Sequence, residues 1–245
     1  MSRFPILLTN DDGINSPGLQ HLASSLHSLR HPIAILAPLT EQSAVGMKLT
    51  LRDDMTFEEH TDIAEKIRTD ESAPLRVFSL DGSPCDCVIV AIDGGLRSWA
   101  TEIRPWLCIS GINRGPNLSV DVLHSGTVSA AREASLYGLP SLSVSLATYS
   151  HQDYSQSIEA TLALVERLSE LVTVEPSNIL RPEGSRTRPI EGTGPNSLRS
   201  WFMQGNMFLN LNIPENWNVL RYKQELICRY YQTYSDYIDI ITYDH

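Results

Sequence analysis

The hydrophobic positions of this chain follow two alternating patterns up to Leu171. Short continuous apolar runs predict buried strands. These runs occupy residues 6–8, 33–37, 77–80, 106–109 and 142–146. Between them lie segments whose apolar residues recur every three or four positions, as a helix requires. The alternation predicts an α/β fold with a doubly wound, mostly parallel sheet.

Serine and proline mark the starts of two predicted helices. Ser16-Pro17 and Ser83-Pro84 each place a serine at the N-cap and a proline at the first helical position. Spacing and composition predict further helices over residues 128–137 and 154–171. The charged segment 48–76 is less regular, and we expect strands and loop there.

The pattern divides the chain into three parts. Residues 1–175 form the predicted α/β core. Residues 176–205 are predicted to be a mobile insertion loop, because they are rich in Pro, Gly, Ser and Arg and show no periodicity. Residues 206–245 hold a last core strand at 208–214, followed by a C-terminal extension with a strand-like segment at 237–242.

Composition and charge narrow the possible functions. Hydrophobic residues make up 42% of the 245 residues, which allows a substantial core. The net charge of -10 argues against a general nucleic-acid-binding surface, although a bound cation would still allow a small phosphate substrate. Residues 1–5 contain no apolar signal segment, and no apolar stretch is long enough to span a membrane. The 4 cysteines lack zinc-site spacing. We expect a soluble cytoplasmic protein with buried free thiols.

The segment Thr9-Asn10-Asp11-Asp12-Gly13 directly follows the first apolar run. Two adjacent carboxylates at the end of a buried strand repel each other, and burial disfavours both charges. A divalent cation would relieve that repulsion, and oxygen-rich sites suit Mg²⁺ or Mn²⁺. The alternative is an ordinary Asx-turn between strand and helix, since Asn, Asp and Gly are common turn residues. The segment alone leaves both interpretations open.

Two further polar loops follow predicted strands. One carries Ser43, and the other carries Asn113 and Asn117. Because sites in open α/β sheets lie outside the carboxyl ends of the strands, we expect these residues to gather near the Asp11-Asp12 pair. Together they would form an all-oxygen ligand set with open positions for substrate or water. Taken singly, Ser43 and Asn113 are also typical loop and turn residues.

Ser125-Gly126-Thr127 precedes a predicted helix, whose N-terminal N–H groups favour an anion such as phosphate. Gly126 would allow a phosphate to approach closely, whereas ordinary N-capping by Ser125 or Thr127 explains the same pattern. The chain contains no G-x-G-x-x-G, P-loop, G-x-S-x-G or H-E-x-x-H pattern. A receiver-like signalling domain would need a later, well-placed lysine, which does not follow Asp81.

Several short segments occur together in a specific order. They are residues 7–13 with 17–18, 37–38 with 42–44, 81–88, 110–118, 125–133, 138–140, 143–145 and 208–214. Taken together, they closely resemble the SurE (survival protein E) family of metal-dependent nucleotidases. The match is most specific over residues 3–150.

The resemblance implies a Rossmann-like α/β fold and a phosphomonoesterase activity. Members of the family hydrolyse nucleoside 5′- and 3′-monophosphates, and some also hydrolyse short polyphosphate. The metal ligands that it implies, for one Mg²⁺ or Mn²⁺ ion per subunit, are Asp11, Asp12, Ser43 and Asn113. The implied substrate-binding residues are Asn10, Ser125, Gly126 and Thr127. The implied catalytic residues are Asp11 and Asn117. A metal-activated water is the expected nucleophile, and an aspartyl-phosphate on Asp11 is the second route.

After Pro214 the chain departs from the family pattern, through divergence or truncation of the C-terminus. In the family this region forms a hairpin and an exchanged arm, so the resemblance implies a homodimer or homotetramer. The main alternative function is a non-catalytic sensor that binds metal and nucleotide without turnover. A receiver-like signalling domain is the third hypothesis.

Overall fold

The computed structural model describes residues 3–170, 172, 198–215 and 217, and within them a seven-stranded sheet forms the centre of the molecule. The strands are β1 (Ile6–Thr9), β2 (Ile33–Pro38), β3 (Phe57–Glu59), β4 (Leu75–Leu80), β5 (Leu107–Arg114), β6 (Ser141–Leu146) and β7 (Leu209–Ile213). Their order is β3-β4-β2-β1-β5-β6-β7, and each neighbouring pair is parallel except β3 with β4. This confirms the predicted α/β fold with a mostly parallel sheet.

Helices cover both faces of the sheet. They are α1 (Pro17–Ser28), α2 (Thr61–Ile67), α3 (Pro84–Val90), α4 (Leu96–Trp99), α5 (Asp121–His124), α6 (Gly126–Leu136), α7 (Ser155–Leu168) and α8 (Leu198–Met203). Helices α1, α2 and α7 share one apolar core with Ile6 and Leu8 of β1. Helices α3 and α6 share the opposite core with Leu7, because successive strand residues point to opposite faces.

The chain order places a topological switch point at β1. From β1 the chain builds outward through β2 and β4 on one side, then returns to β5 and continues through β6 and β7 on the other side. In open α/β sheets, ligands bind outside the carboxyl ends of the strands at such a point. The loops that follow β1, β2, β5 and β6 all begin at this edge.

Both predicted Ser-Pro helix starts are confirmed. Ser16 Oγ accepts the Leu19 N–H of α1 at 3.4 Å. Ser83 and Asp86 form a reciprocal capping box at the start of α3. The predicted strand at 208–214 is confirmed as β7, with alternating buried and half-buried residues.

Two sequence expectations were wrong in detail. Segment 48–76 contains α2, a short helix whose apolar residues Ile63 and Ile67 are buried among many charged neighbours. Residues 110–114 continue β5 rather than forming a turn, with a register shift against β6 between Ser110 and Asn113. Glycine and asparagine there indicated a turn, but pairing with β6 resumes at Asn113 and Arg114 after the register shift, whereas pairing with β1 ends at Ser110.

Other expectations fall partly outside the described residues. Residues 198–203 of the predicted insertion loop form α8, in which Phe202 is buried; most of the rest of 176–205 and the predicted strand at 237–242 are not described. Cys85, Cys87 and Cys108 are buried free thiols, as predicted, and Cys228 lies outside the described residues. Within the described part, no helix is long and apolar enough to cross a membrane.

Candidate functional site at the carboxyl edge of the sheet

Asn10 shapes the loop after β1. The side chain is fully buried, and its Nδ2 donates to Gly13 O at 3.0 Å and to Ser16 Oγ at 2.7 Å. Its Oδ1 accepts the Gly13 N–H at 3.2 Å, and Gly13 has a φ of +89°. The predicted turn after β1 is therefore present, closed by the Asn10 side chain on Gly13, and both of the following carboxylates line a cavity. The predicted contact of Asn10 with substrate stays a prediction.

Asp11 is held by the N-terminus of α6. Its Oδ2 accepts the Thr127 N–H at 3.0 Å, and its Oδ1 accepts the Thr127 hydroxyl. A Cβ on Gly126 would lie 2.8 Å from Asp11 Cβ, so only glycine lets the helix approach this closely. Ser125 caps α6 by accepting the Val128 N–H at 3.1 Å. In this structure the anion at the helix N-terminus is thus the Asp11 carboxylate.

Asp12 is half-buried beside Asp11. Its Oδ2 accepts the Arg114 N–H of β5 at 3.4 Å. Burial, followed by the charge of Asp11, raises the pKa of Asp12 to about 7. Burial also raises the pKa of Asp11, against the lowering effect of the two Thr127 hydrogen bonds. The folded chain therefore concentrates two carboxylates where a compensating positive charge is needed.

A cavity of about 430 Å³ opens above this pair. Its acidic lining residues are Asp11, Asp12, Glu41 and Asp121. Among the lining residues that the structure describes, Arg114 alone is an arginine or lysine. Carboxylates outnumber fixed cations, so the cavity on its own disfavours an anionic ligand and favours a cation.

Ser43 and Asn113 bring neutral oxygens to the same cavity. Ser43 is exposed, and its hydroxyl donates to Glu41 Oε1 at 2.7 Å. Asn113 donates from Nδ2 to Gly115 O at 2.8 Å, so its Oδ1 is the atom with which it can bind a cation. Two carboxylates, an amide oxygen and a hydroxyl form the hard-oxygen donor set that suits Mg²⁺ or Mn²⁺. Within the described ranges, no three His, Cys, Asp or Glu side chains form a metal-binding group, and two of the four ligands proposed here are neutral.

Asn117 is fixed by side chains from β6 and β7. Its N–H donates to Asn212 Oδ1 at 2.8 Å, and its Nδ2 donates to Ser145 Oγ at 2.8 Å. Its carbonyl oxygen accepts hydrogen bonds from Asn210 Nδ2 at 3.0 Å and Asn212 Nδ2 at 3.2 Å. Asn117 is buried, lines the cavity and is held in one position by these four hydrogen bonds.

The structure brings most of the predicted residues together. The predicted residues that line the cavity are Asp11, Asp12, Ser43, Asn113, Asn117 and Ser125. Asn10, Gly126 and Thr127 are not among the lining residues; Gly126 and Thr127 contact Asp11. The sequence analysis missed the lining residues Glu41, Arg114, Asp121 and Tyr149. The signal that could have found Tyr149 is its position just after β6, a strand that ends at the same edge.

Fold and site together define a class: doubly wound α/β proteins with an acidic, oxygen-ligand site at the switch point of the sheet. Comparison with known families gives the particular one. The family model "Survival protein SurE" matches residues 6–235, and the chain belongs to this family.

Individual relatives agree with this assignment. The protein "5'-nucleotidase SurE" of Syntrophotalea carbinolica is 43% identical over 167 residues, which cover 67% of this chain and 59% of that protein. The protein of the same name from Synechococcus sp. (strain JA-3-3Ab) is 40% identical over 165 residues, covering 67% and 59%. The crystal structure of the SurE protein from Aquifex aeolicus superposes with a TM-score of 0.58 and 29% identity, covering 85% of this chain and 65% of that one. The chain thus matches less than two-thirds of the length of these relatives.

Proposed function

We propose that this chain is a divalent-metal-dependent phosphomonoesterase that hydrolyses nucleoside 5′-monophosphates, and 3′-monophosphates as well, to nucleoside and phosphate. The observation that carries the proposal is the Asp11-Asp12 pair, buried and half-buried respectively, which lines a cavity with neutral oxygen ligands at the switch point. Relatives named 5'-nucleotidase SurE support the choice of substrate.

The cation would be held by the four predicted ligands, Asp11, Asp12, Ser43 and Asn113. When bound, a single Mg²⁺ or Mn²⁺ ion per subunit supplies Lewis-acid chemistry, since it offsets the negative charge of the carboxylates and of the phosphate. The acidic lining makes this compensation necessary, because the phosphate would otherwise meet like charges.

The remaining predicted site residues would bind the phosphate and orient the attacking water. Ser125, at the N-cap of α6, faces the cavity and would contact a phosphate oxygen, with Gly126 and Thr127 behind it. Asn117 donates one Nδ2 hydrogen to Ser145 Oγ, and its side-chain oxygen would accept a hydrogen bond from the attacking water. Both oxygens of Asp11 accept hydrogen bonds from Thr127, which makes Asp11 a weaker nucleophile. Attack by water therefore ranks above an aspartyl-phosphate route.

The experiment is phosphate release from a panel of nucleoside monophosphates and p-nitrophenyl phosphate, with Mn²⁺, with Mg²⁺ and with EDTA. The proposal predicts release that requires a metal ion and stops in EDTA. A folded protein that binds Mn²⁺ and a nucleotide but releases no phosphate would instead be the non-catalytic sensor.

We also propose the homodimer or homotetramer of the family for this chain. Light scattering during gel filtration would measure the mass directly, and a monomer of 27.3 kDa would contradict the proposal. The cytoplasmic location predicted from the sequence stays a prediction.

A further inference from the structure

Tyr149 is a large aromatic residue on the wall of the acidic cavity. It follows β6 and lines the same space as the Asp11-Asp12 pair. Its side chain is mostly exposed, with a relative accessibility of 67%. Core packing therefore does not explain its orientation, and the other described lining residues are mainly acidic, amide or hydroxyl groups.

The Tyr149 ring is held against the backbone of Gly115. A Cβ on Gly115 would lie 2.1 Å from Cε1 and 2.4 Å from Cζ of the ring, so only glycine leaves room for it. Gly115 also has a φ of +106°, which favours glycine at this position. The main chain is tied to the same loop, since Arg114 Nη2 donates to Tyr149 O at 3.5 Å. The ring is thus positioned by Gly115, which lies between Asn113 at the end of β5 and Asn117 in the loop that follows.

We propose that Tyr149 is the platform on which the base of the nucleotide stacks, an inference that rests on the proposed function. One part of the ring is packed on Gly115, and the exposed remainder is open to a flat ligand. A cavity of about 430 Å³ is large enough for a small ligand that reaches from the carboxylates to its wall. Since every base has a π-face, stacking of this kind accepts all bases, with the larger purines held more tightly.

The test compares AMP with ribose 5-phosphate, a substrate with the same phosphate ester and no base. Loss of stacking in Tyr149→Ala should lower the ratio of kcat/KM for AMP to kcat/KM for ribose 5-phosphate by roughly 5- to 150-fold. Tyr149→Phe, which keeps the ring, should hold the ratio within about threefold of the wild type. Leu51→Ala, at an exposed residue that is not among the cavity-lining residues, is the control variant and should leave the ratio unchanged.

Adenosine binding separates this inference from the proposed function. Calorimetric titration with adenosine needs no turnover, so it remains informative if the wild type releases no phosphate. Weaker adenosine binding by Tyr149→Ala, by roughly 5-fold or more, would support the platform even in a sensor protein. An unchanged substrate ratio in an active enzyme, or equal adenosine affinity in wild type and Tyr149→Ala, would overturn it.

Discussion

Thr127 positions one carboxylate through two hydrogen bonds. Its N–H and its hydroxyl donate to different oxygens of Asp11, and no part of the Thr127 side chain is exposed. A hydrogen bond to a charged group contributes about 1.5–3 kcal/mol, more than one between neutral groups. The Thr127 side chain therefore fixes the orientation of Asp11 and opposes the rise in its pKa that burial causes.

Replacing the Thr127 hydroxyl should weaken the site without opening the helix end. Thr127→Val keeps the shape and the N–H but loses the hydroxyl, so we expect kcat/KM for AMP to fall by about 10- to 100-fold. Thr127→Ser restores the donor and should retain activity within about threefold of the wild type. Steady-state kinetics of both variants would test this, and equal activity of Val and Ser variants would refute the positioning role.

His31 links stability to pH. His31 is buried, and its Nδ1 lies 3.0 Å from Phe4 O. The imidazole ring of His31 and the phenyl ring of Phe4 are in edge-to-face contact. Burial lowers the pKa of His31 below 6.5, so below that pH the unfolded chain binds more protons than the folded one. The stability that His31 contributes is thus present at neutral pH and is lost as the pH falls through 6.5 towards its folded-state pKa.

His31→Asn, which retains an N–H donor, should lose less unfolding free energy than the wild type between pH 7 and pH 5. Urea unfolding at both values measures the difference, and comparison with the wild type cancels the other titrating groups. His21→Asn, on the exposed face of α1, is the control and should behave like the wild type. Identical pH dependence of wild type and His31→Asn would contradict the assignment.

Strand β7 holds the main chain of Asn117, a cavity-lining residue, through the side chains of two asparagines. Asn212 binds the main chain of Asn117 through both of its side-chain atoms, and Asn210 adds a third bond. These bonds connect the edge strand to the loop after β5, which contributes lining residues to the cavity. Side chains in a shared network are energetically coupled.

A double-mutant cycle tests this coupling. Asn212→Ala should lower kcat/KM for AMP by about tenfold, because the main chain of Asn117 loses two hydrogen bonds. In the Asn117→Ala background, Asn212→Ala should lower kcat/KM much less than it does alone, since Asn212 acts by positioning Asn117. The matched control is Gln204→Ala, at an exposed residue between α8 and β7. Full additivity of the two asparagine variants would rule out the network.

Element prediction from the sequence succeeded where one pattern dominated. The strands β1, β2, β6 and β7 and the helices α1, α3, α6 and α7 follow apolar spacing or Ser-Pro caps closely. Helix α2 was missed because its charged surface hides a short apolar face. The end of β5 was missed because Gly111 and Asn113 favour turns locally, whereas pairing with β6 at Asn113 and Arg114 overrides that preference.

The site was predictable only in part, for a related reason. Carboxylates and amides at strand ends can be located from chain order, because parallel strands end at one edge. The contact of Thr127 with Asp11 spans 116 positions, and no local pattern encodes its geometry. Tyr149 likewise depends on the space that Gly115 leaves for its ring, which only the folded arrangement reveals.

Across the whole molecule, burial governs the chemistry of the thiols. Cys85, Cys87 and Cys108 lie in the core, where burial raises the pKa of Cys108 to about 12 and also raises the pKa of Cys85 and of Cys87 well above the usual range. These thiols should resist iodoacetamide at pH 8 in the folded protein and react fully in urea. Peptide mass spectrometry identifies each labelled cysteine. Fast labelling of any of the three under native conditions would contradict the packing of the core.

We propose that the Asp11-Asp12 pair, which the fold places at the switch point of the sheet, makes this chain a metal-dependent phosphatase. The most direct test of this proposal is phosphate release from AMP with Mn²⁺ by wild type, Asp11→Asn and Asp12→Asn side by side. We expect both variants to lose at least about 100-fold in activity. The midpoint temperature of their thermal unfolding in EDTA should be no lower than that of the wild type, because each substitution removes one of two adjacent negative charges. Undiminished release by both folded variants would contradict the account.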